Sequence, residues 1–147
     1  MTTRRLKGFT LIELAITITV IGIVLAFSVP AFLRISSTNA LKGAGENIAG
    51  QLRLAREKAI ATGTVQPVHF VGTKIYHIHY PSGIALGMQW TLPNNVSFAR
   101  NMSDWYTMTS DGRCTETGNA DGLIPLVDQN GNLDTVFVQL SGLVSAN

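Results

Sequence analysis

The stretch Gly8-Phe9-Thr10-Leu11-Ile12-Glu13, with the apolar run that continues to Leu33, decides the fold of this chain. Glu13 is the only charged residue between positions 9 and 33. These 25 residues exceed the roughly 20 that an α-helix needs to cross the hydrocarbon core of a bilayer. The sequence therefore predicts one membrane-spanning helix close to the N-terminus.

Three basic residues, Arg4, Arg5 and Lys7, precede the apolar run. Because positive charge beside a span is retained in the cytoplasm, we expect the N-terminus inside and the residues after Leu33 outside. Glu13 is unusual in this setting, since a carboxylate at the bilayer centre costs about 2.5–3.5 kcal/mol on insertion scales. Either a cation pairs with this carboxylate, or it lies near the headgroups of a simple signal anchor.

The basic leader, the glycine, the acidic residue five positions after it and the long apolar helix together resemble the class III signal of type IV pilins and type II secretion pseudopilins. The resemblance implies that prepilin peptidase cleaves between Gly8 and Phe9 and that Phe9 is then N-methylated. It also implies that Glu13 pairs with the N-terminal amine of a neighbouring subunit during filament assembly. Gly22 and Pro30 match positions near which the helices of this family bend or melt.

Beyond Leu33, apolar residues recur at intervals of three or four, which predicts one buried face of a continuing helix. This stripe consists of Leu41, Ala44, Ile48, Leu52, Ala55 and Ala59. Thr62-Gly63 predicts the end of the helix, because glycine is favoured just past the last helical residue. The expected regions are a leader peptide (1–8), a transmembrane and filament-core helix (9–33), its amphipathic continuation (34–61) and a periplasmic β domain (62–147).

After Gly63 the sequence predicts short strands separated by turns. The predicted strands are residues 65–71, 75–80, 89–92, 96–98, 105–108, 123–127, 135–140 and 143–145. Pro67 lacks a backbone N–H and places the first strand at a sheet edge, and Asn130-Gly131 predicts a hairpin turn. The expected fold class is α+β, with a long N-terminal helix packed against a small antiparallel β domain.

Three later segments narrow the resemblance to the H-class minor pseudopilins and the related T- and U-class minor pilins. They are Ala55-Arg56-Glu57-Lys58-Ala59-Ile60, Asp111-Gly112-Arg113 and the closing run from Val136 to Gly142. The resemblance implies a helix packed against two small sheets, in a subunit near the filament tip. The predicted function is a minor pseudopilin of a type II secretion pseudopilus, and the alternatives are a minor pilin of a type IV pilus or a DNA-uptake pilin.

This hypothesis implies a single-pass protein of the bacterial inner membrane with a periplasmic β domain. Its partners would be other subunits of the filament, prepilin peptidase and the inner-membrane assembly platform. The charge argues against a nucleic-acid partner, because residues 62–147 carry six acids and three basic residues and would neutralise phosphate poorly. The DNA-uptake relatives also carry a Gly-Arg-x-Arg motif near the C-terminus, where this chain has Gly142-Leu143-Val144-Ser145.

The three histidines raise the question of a metal site. His77 and His79 alternate on a predicted strand and therefore share a face. If residues 72–74 form a three-residue loop, His69 lies opposite His77, and three imidazole nitrogens could hold zinc. The simpler interpretation places the histidines on the outer face of the sheet or at a subunit contact. Because no acid or cysteine lies nearby in the sequence, we predict neither a metal nor a cofactor.

Two further features are candidate chemical sites. Asp128, Asn130, Asn132 and Asp134 alternate like calcium ligands, but an EF-hand needs glycine and glutamate at its sixth and twelfth positions, which are Leu133 and Gln139 here. A hairpin with solvated acids is the simpler prediction for this stretch. Cys114 is the only cysteine, so we expect a buried thiol or an intermolecular bridge. No nucleophile motif or paired-acid spacing points to an enzyme.

Overall fold

The computed structural model describes residues 9–79, 86–118 and 121–147. The chain divides into two compact units, Met1–Ser36 and Ser37–Asn147. One helix, α1, spans Leu11–Thr62 and contributes to both units. It ends at the predicted place, where Gly63 adopts a left-handed φ of 66° that glycine accepts without a steric penalty.

The second unit contains two antiparallel sheets. Its strands are β1 (Gln66–Val71), β2 (Ile75–His79), β3 (Leu86–Thr91), β4 (Val96–Phe98), β5 (Trp105–Met108), β6 (Cys114–Thr117), β7 (Leu123–Asp128), β8 (Leu133–Val138) and β9 (Val144–Ala146). The first sheet has the order β3-β2-β1-β5-β6, and the second has the order β4-β7-β8-β9. This architecture confirms the expected α+β fold class.

Every predicted strand has a counterpart in the described residues, with ends displaced by up to three positions. The predicted end of β2 at Tyr80 lies outside the described residues. Strand β6 was not predicted, because Cys114–Thr117 is mostly polar and has no alternation of apolar and polar residues in its sequence. It pairs with β5 along one side only and forms an edge of its sheet, where hydrophobic patterning is weakest.

The prediction that Pro67 marks an edge strand is wrong. β1 lies between β2 and β5, and Pro67 is registered opposite Thr107 of β5. The registered pairing of β1 with β2 begins only at Val68, which faces Ile78. Pro67 therefore occupies the end of an inner strand, where its missing N–H removes no registered pairing with β2.

The second half of α1 contributes one layer of the hydrophobic core. All six residues of the predicted stripe are buried, and Gly45 and Ala49 are buried beside them. They share one cluster with residues of both sheets, including Phe70 and Leu126. Ile48 and Leu52 are fully buried, and each such side chain contributes about 1.5–3 kcal/mol through the hydrophobic effect.

The β7–β8 hairpin confirms the Asn130-Gly131 turn, but its acids are not solvated as predicted. Asp128 is buried and accepts hydrogen bonds from the Ser37 hydroxyl at 2.5 Å and from the backbone N–H groups of Asn130 and Asn132 at 2.8 and 2.9 Å. A carboxylate with this many donors organises the loop and ties it to α1. The alternating polar residues thus serve the loop itself.

Two arginines of α1 donate hydrogen bonds to backbone carbonyls in the C-terminal part of the β domain. Arg53 donates from Nε and one Nη to the Val144 carbonyl at 3.1 and 2.9 Å. Arg56 donates from Nε to the Gly112 carbonyl at 2.7 Å, and the Gly112 carbonyl also lies directly against Gly142. The structure thus brings together the three segments that narrowed the family resemblance, although they are far apart in the sequence.

We predict that Gly142→Ala destabilises the protein more than Gly131→Ala. Both glycines have a left-handed φ, 78° and 81°, so alanine suffers similar backbone strain at each. A Cβ at position 142 would also overlap the Gly112 carbonyl and lie 2.7 Å from Arg56 Nε, whereas nothing lies within 4 Å at position 131. Gly142→Ala should lower the free energy of unfolding by about 1–3 kcal/mol more than Gly131→Ala does. The measurement is thermal unfolding of the full chain in detergent. Equal losses would contradict this reading of the glycine contact.

We also predict that Asp128→Asn destabilises the protein at neutral pH and that the difference narrows as the pH falls below about 4. The Ser37 hydroxyl, followed by the Asn132 side chain and the N–H groups of Asn132 and Asn130, holds the pKa of Asp128 well below its usual value, against the opposing effect of burial. A lowered pKa in the folded state stabilises the protein above the unfolded-state value, about 3.9, and this stabilisation is lost as pH falls.

The measurement is the melting temperature of wild type and variant between pH 7 and pH 3. Glu57→Gln is the matched control, because Glu57 is an exposed acid on α1. A gap between wild type and Asp128→Asn that stays constant down to pH 3 would refute the assigned role of the carboxylate.

Candidate assembly segment

The N-terminal end of α1 contains Glu13, the residue that the sequence analysis predicts to act in assembly. Thr10 precedes the helix, and its hydroxyl accepts the backbone N–H of Glu13 at 3.3 Å. The first helical hydrogen bond runs from the Leu14 N–H to the Thr10 carbonyl at 3.1 Å. Thr10 is therefore the N-cap, and Glu13 stands three residues later, where a capping box has its glutamate or glutamine.

This capping arrangement was not predicted, although the Thr-x-x-Glu spacing is a recognisable signal for it. The position of Glu13 in the first turn also favours a carboxylate, because the positive end of the helix dipole lies there. Glu13 makes no ion pair within the described part of the chain. Its local environment accounts for a polar residue at this position but supplies no cation.

The helix surface around and after Glu13 is apolar and uncovered within its unit. Phe9 is 83% exposed, and every large apolar residue from Leu11 to Ile35 is exposed as well. By length and composition this part of α1 is able to cross a membrane. Such a surface requires lipid or the helices of other subunits around it.

The few polar side chains of this segment are satisfied inside the helix. The hydroxyls of Thr17, Thr19 and Ser28 each donate at 2.8 Å to the carbonyl four residues earlier. Hydroxyls bonded in this way do not demand water, and they are compatible with an apolar surrounding. Glu13 is then the one side chain of residues 9–33 that carries a charge.

The other predicted residues of this segment are placed only in part. Gly22 and Pro30 lie within α1, which is unbroken at both positions. A bend at these two residues in an assembled filament stays a prediction. Gly8 and the leader peptide lie outside the described residues. Phe9, the expected site of methylation, is described but precedes the first helical residue.

The histidines lie in the second unit, on the sheet face opposite α1. His69 is registered opposite His77, as the loop argument predicted. Phe70 and Tyr76 are buried on the core face, whereas His69 and His79 are half-buried on the other. Trp105 stacks on His69 with ring centroids 3.9 Å apart. The sequence contained no signal for this stacking, because it depends on the register between β1 and β5.

Two further candidate sites are also located. Cys114 is buried, as expected for an unpaired thiol, and burial raises its pKa to about 12. A thiol in this state is a weak nucleophile. Val144, which stands within the stretch that aligns with the arginine motif of DNA-uptake pilins, is buried in β9 and packs into the core.

Comparison with known proteins shows which family this chain resembles. Residues 3–29 match the model of a protein family described as "Prokaryotic N-terminal methylation motif". The chain is 32% identical over 111 residues to the type IV narrow pilus major component PilA5 of Thermus thermophilus, a match that covers 74% of this chain and 91% of PilA5.

The fold is also found in two crystal forms of the type IV minor pilin FimU from Pseudomonas aeruginosa. The TM-scores are 0.54 and 0.57, with 16% sequence identity in both cases. The matches cover 73% and 77% of this chain and 92% of each FimU chain. With a related pilin that is 32% identical over nearly its whole length, this chain belongs to the superfamily of type IV pilins and pseudopilins, as a structural filament subunit and not an enzyme.

Proposed function

We propose that this chain is a minor subunit of a type IV pilus and that it enters the filament through residues 9–33. The observation that carries the proposal is the isolated charge of Glu13 on an otherwise apolar and exposed helix surface. A carboxylate in an apolar layer is costly unless a cation compensates it. No cation of the described chain does so, which points to a partner on another molecule.

The partner of Glu13 is the N-terminal amine that processing creates on a neighbouring subunit. Cleavage after Gly8 removes Arg4, Arg5 and Lys7 and leaves Phe9 as the first residue, methylated on its nitrogen. The new amine and Glu13 are a few residues apart on the same chain, so an axial shift between adjacent helices brings one to the other. This ion pair would set the register of the helices in the filament core.

The membrane topology, the partners and the regions of the chain follow from assembly through residues 9–33. The protein spans the inner membrane once, with its N-terminus in the cytoplasm and its β domain in the periplasm. Prepilin peptidase, the assembly platform and the other pilins are its partners. The regions are a leader (1–8), a filament-core helix (9–33), an amphipathic helix (34–61) and the β domain (62–147).

The two named relatives support a pilus over a pseudopilus, because PilA5 is described as a pilus component and FimU as a type IV minor pilin. The second candidate is a minor pseudopilin of a type II secretion system. The late segments around Arg56, Gly112 and Gly142 are compatible with it, since they resemble H-class minor pseudopilins as well as the T- and U-class minor pilins. Both candidates use the same assembly segment.

Mass spectrometry of the protein extracted from its host membrane tests the processing step. We predict a chain that lacks residues 1–8 and carries one methyl group on Phe9. Gly8→Leu should block both changes, because the peptidase reads the residue before the cut. An intact leader in the wild-type protein would overturn the proposed function.

We further predict that Glu13→Gln prevents entry into the filament while leaving membrane insertion intact. Glutamine replaces glutamate in a capping box, so this substitution keeps the helix start and removes only the charge. The measurement is the amount of protein in sheared filaments relative to the membrane fraction, in a strain that lacks the wild-type gene. Normal incorporation of the glutamine variant would show that Glu13 acts only as a capping residue.

The same experiment contains its control and separates the two candidate systems. Glu57→Gln, on the exposed side of the second half of α1, should enter filaments like wild type. If the gene deletion reduces surface pili and secretion is unchanged, the pilus assignment stands. Unchanged pili with a loss of exported proteins would replace it with the pseudopilus.

A further inference from the structure

We propose that His69, His77 and His79 form a binding site for one transition-metal ion, with Zn²⁺ as the ion that fits their chemistry best. The site lies on the outer face of the five-stranded sheet. It does not depend on which filament system uses the protein. The sequence alone predicted no metal, because the contacts between the three imidazoles exist only in the folded chain.

Strand geometry brings the three side chains to one place. His77 and His79 are two residues apart on β2 and therefore project from the same face. His69 on β1 is registered directly opposite His77, and directly opposite residues have Cβ atoms about 4.5–5.5 Å apart. The backbone thus provides a triangular arrangement of imidazoles on a rigid sheet.

The ring nitrogens are close enough to share one ion. One nitrogen from each histidine lies within 4.8 Å of the others, and the Nε2 atoms of His77 and His79 are 2.8 Å apart. Zinc–nitrogen bonds of about 2.0–2.1 Å at tetrahedral angles place two ligand nitrogens about 3.3 Å apart. Small rotations of the rings would therefore convert the observed geometry into a ligand set.

The ring nitrogens of His77 and His79 are not all paired within the described residues. Each neutral imidazole has one N–H donor and one lone pair. His77 and His79 contact each other through Nε2, and the buried Nδ1 atoms of both have no hydrogen-bond partner among the described residues. An ion held by the two Nε2 atoms would replace their contact with each other, and each Nδ1 would then carry the ring proton.

Burial favours the neutral form of two of the three imidazoles. Burial, followed by the neighbouring His77 and His79, lowers the pKa of His69, and burial followed by His79 lowers the pKa of His77. Neutral imidazole is the metal-binding form.

Aromatic contacts fix the orientation of the rings. Trp105 stacks on His69 with an interplanar angle of 10°, and it also contacts His79 at a centroid distance of 4.7 Å. The rings of His69 and His77 meet edge to face at 5.0 Å. A packed shell of this kind holds ligands in place before the ion arrives. Three protein ligands leave a fourth tetrahedral position for water or for a side chain of an adjacent subunit.

The test uses the full-length protein in detergent, stripped of metal, titrated with Zn²⁺ by calorimetry and with Co²⁺ by visible absorption. We expect one ion per chain with a dissociation constant in the micromolar range or below. Cobalt should give the intense bands of a tetrahedral site without a thiolate charge-transfer band, because Cys114 is not part of the cluster. Mg²⁺ and Ca²⁺ should not compete, since they prefer oxygen ligands.

Substitutions identify the ligands. His69→Gln, His77→Gln and His79→Gln should each weaken Zn²⁺ binding at least tenfold, and the double variant His77→Gln/His79→Gln should abolish it. Glu57→Gln, which changes an exposed acid elsewhere, should bind like wild type. Near-UV circular dichroism of each variant verifies the fold, and the cobalt spectrum of the wild-type protein tests the site without any substitution.

Three results would each overturn the proposal. They are an octahedral cobalt spectrum, binding of Zn²⁺ that is unaffected by the histidine substitutions, and no saturable binding at high micromolar metal. None of these outcomes bears on filament entry through Glu13, so the site and the proposed function fail or stand separately.

Discussion

The packing of Ile48, Ala49 and Leu52 is the contact on which the rest of the β domain depends. These residues lie on one stripe of α1 and are completely buried in a cluster that both sheets share. Both sheets contribute buried residues to this cluster, and a sheet with an apolar face needs another layer packed against that face. The helix stripe supplies the second layer that both faces need.

Polar contacts around this stripe determine how the strands and loops meet the helix. Ser37 donates to Asp128 near one end of the packed region, and Arg53 and Arg56 donate to backbone carbonyls near the other. Such hydrogen bonds have strict geometric requirements, whereas hydrophobic contact is non-directional. They therefore select one arrangement of loops from the many that would bury similar apolar area.

The apolar surfaces of the two halves of α1 are covered in different ways. After Ser37 an apolar stripe is covered by the protein's own sheets, and a polar side remains for solvent. From Phe9 to Ile35 the apolar side chains have no cover within their unit, so their burial is left to lipid or other subunits. The charge of Glu13 and the histidine face of β1 and β2 are the chemically distinctive features that remain on these surfaces.

The sequence by itself determined the long helix, its apolar first half, the buried stripe and almost all strands, because periodicity and turn chemistry are local properties of the chain. Only the tertiary structure decided the inner position of β1 despite Pro67, the edge strand β6 and the burial of Asp128. It also decided the meeting of Arg56, Gly112 and Gly142 and the stacking of Trp105 on His69. These features depend on strand order and register, which arise from contacts between residues far apart in the chain.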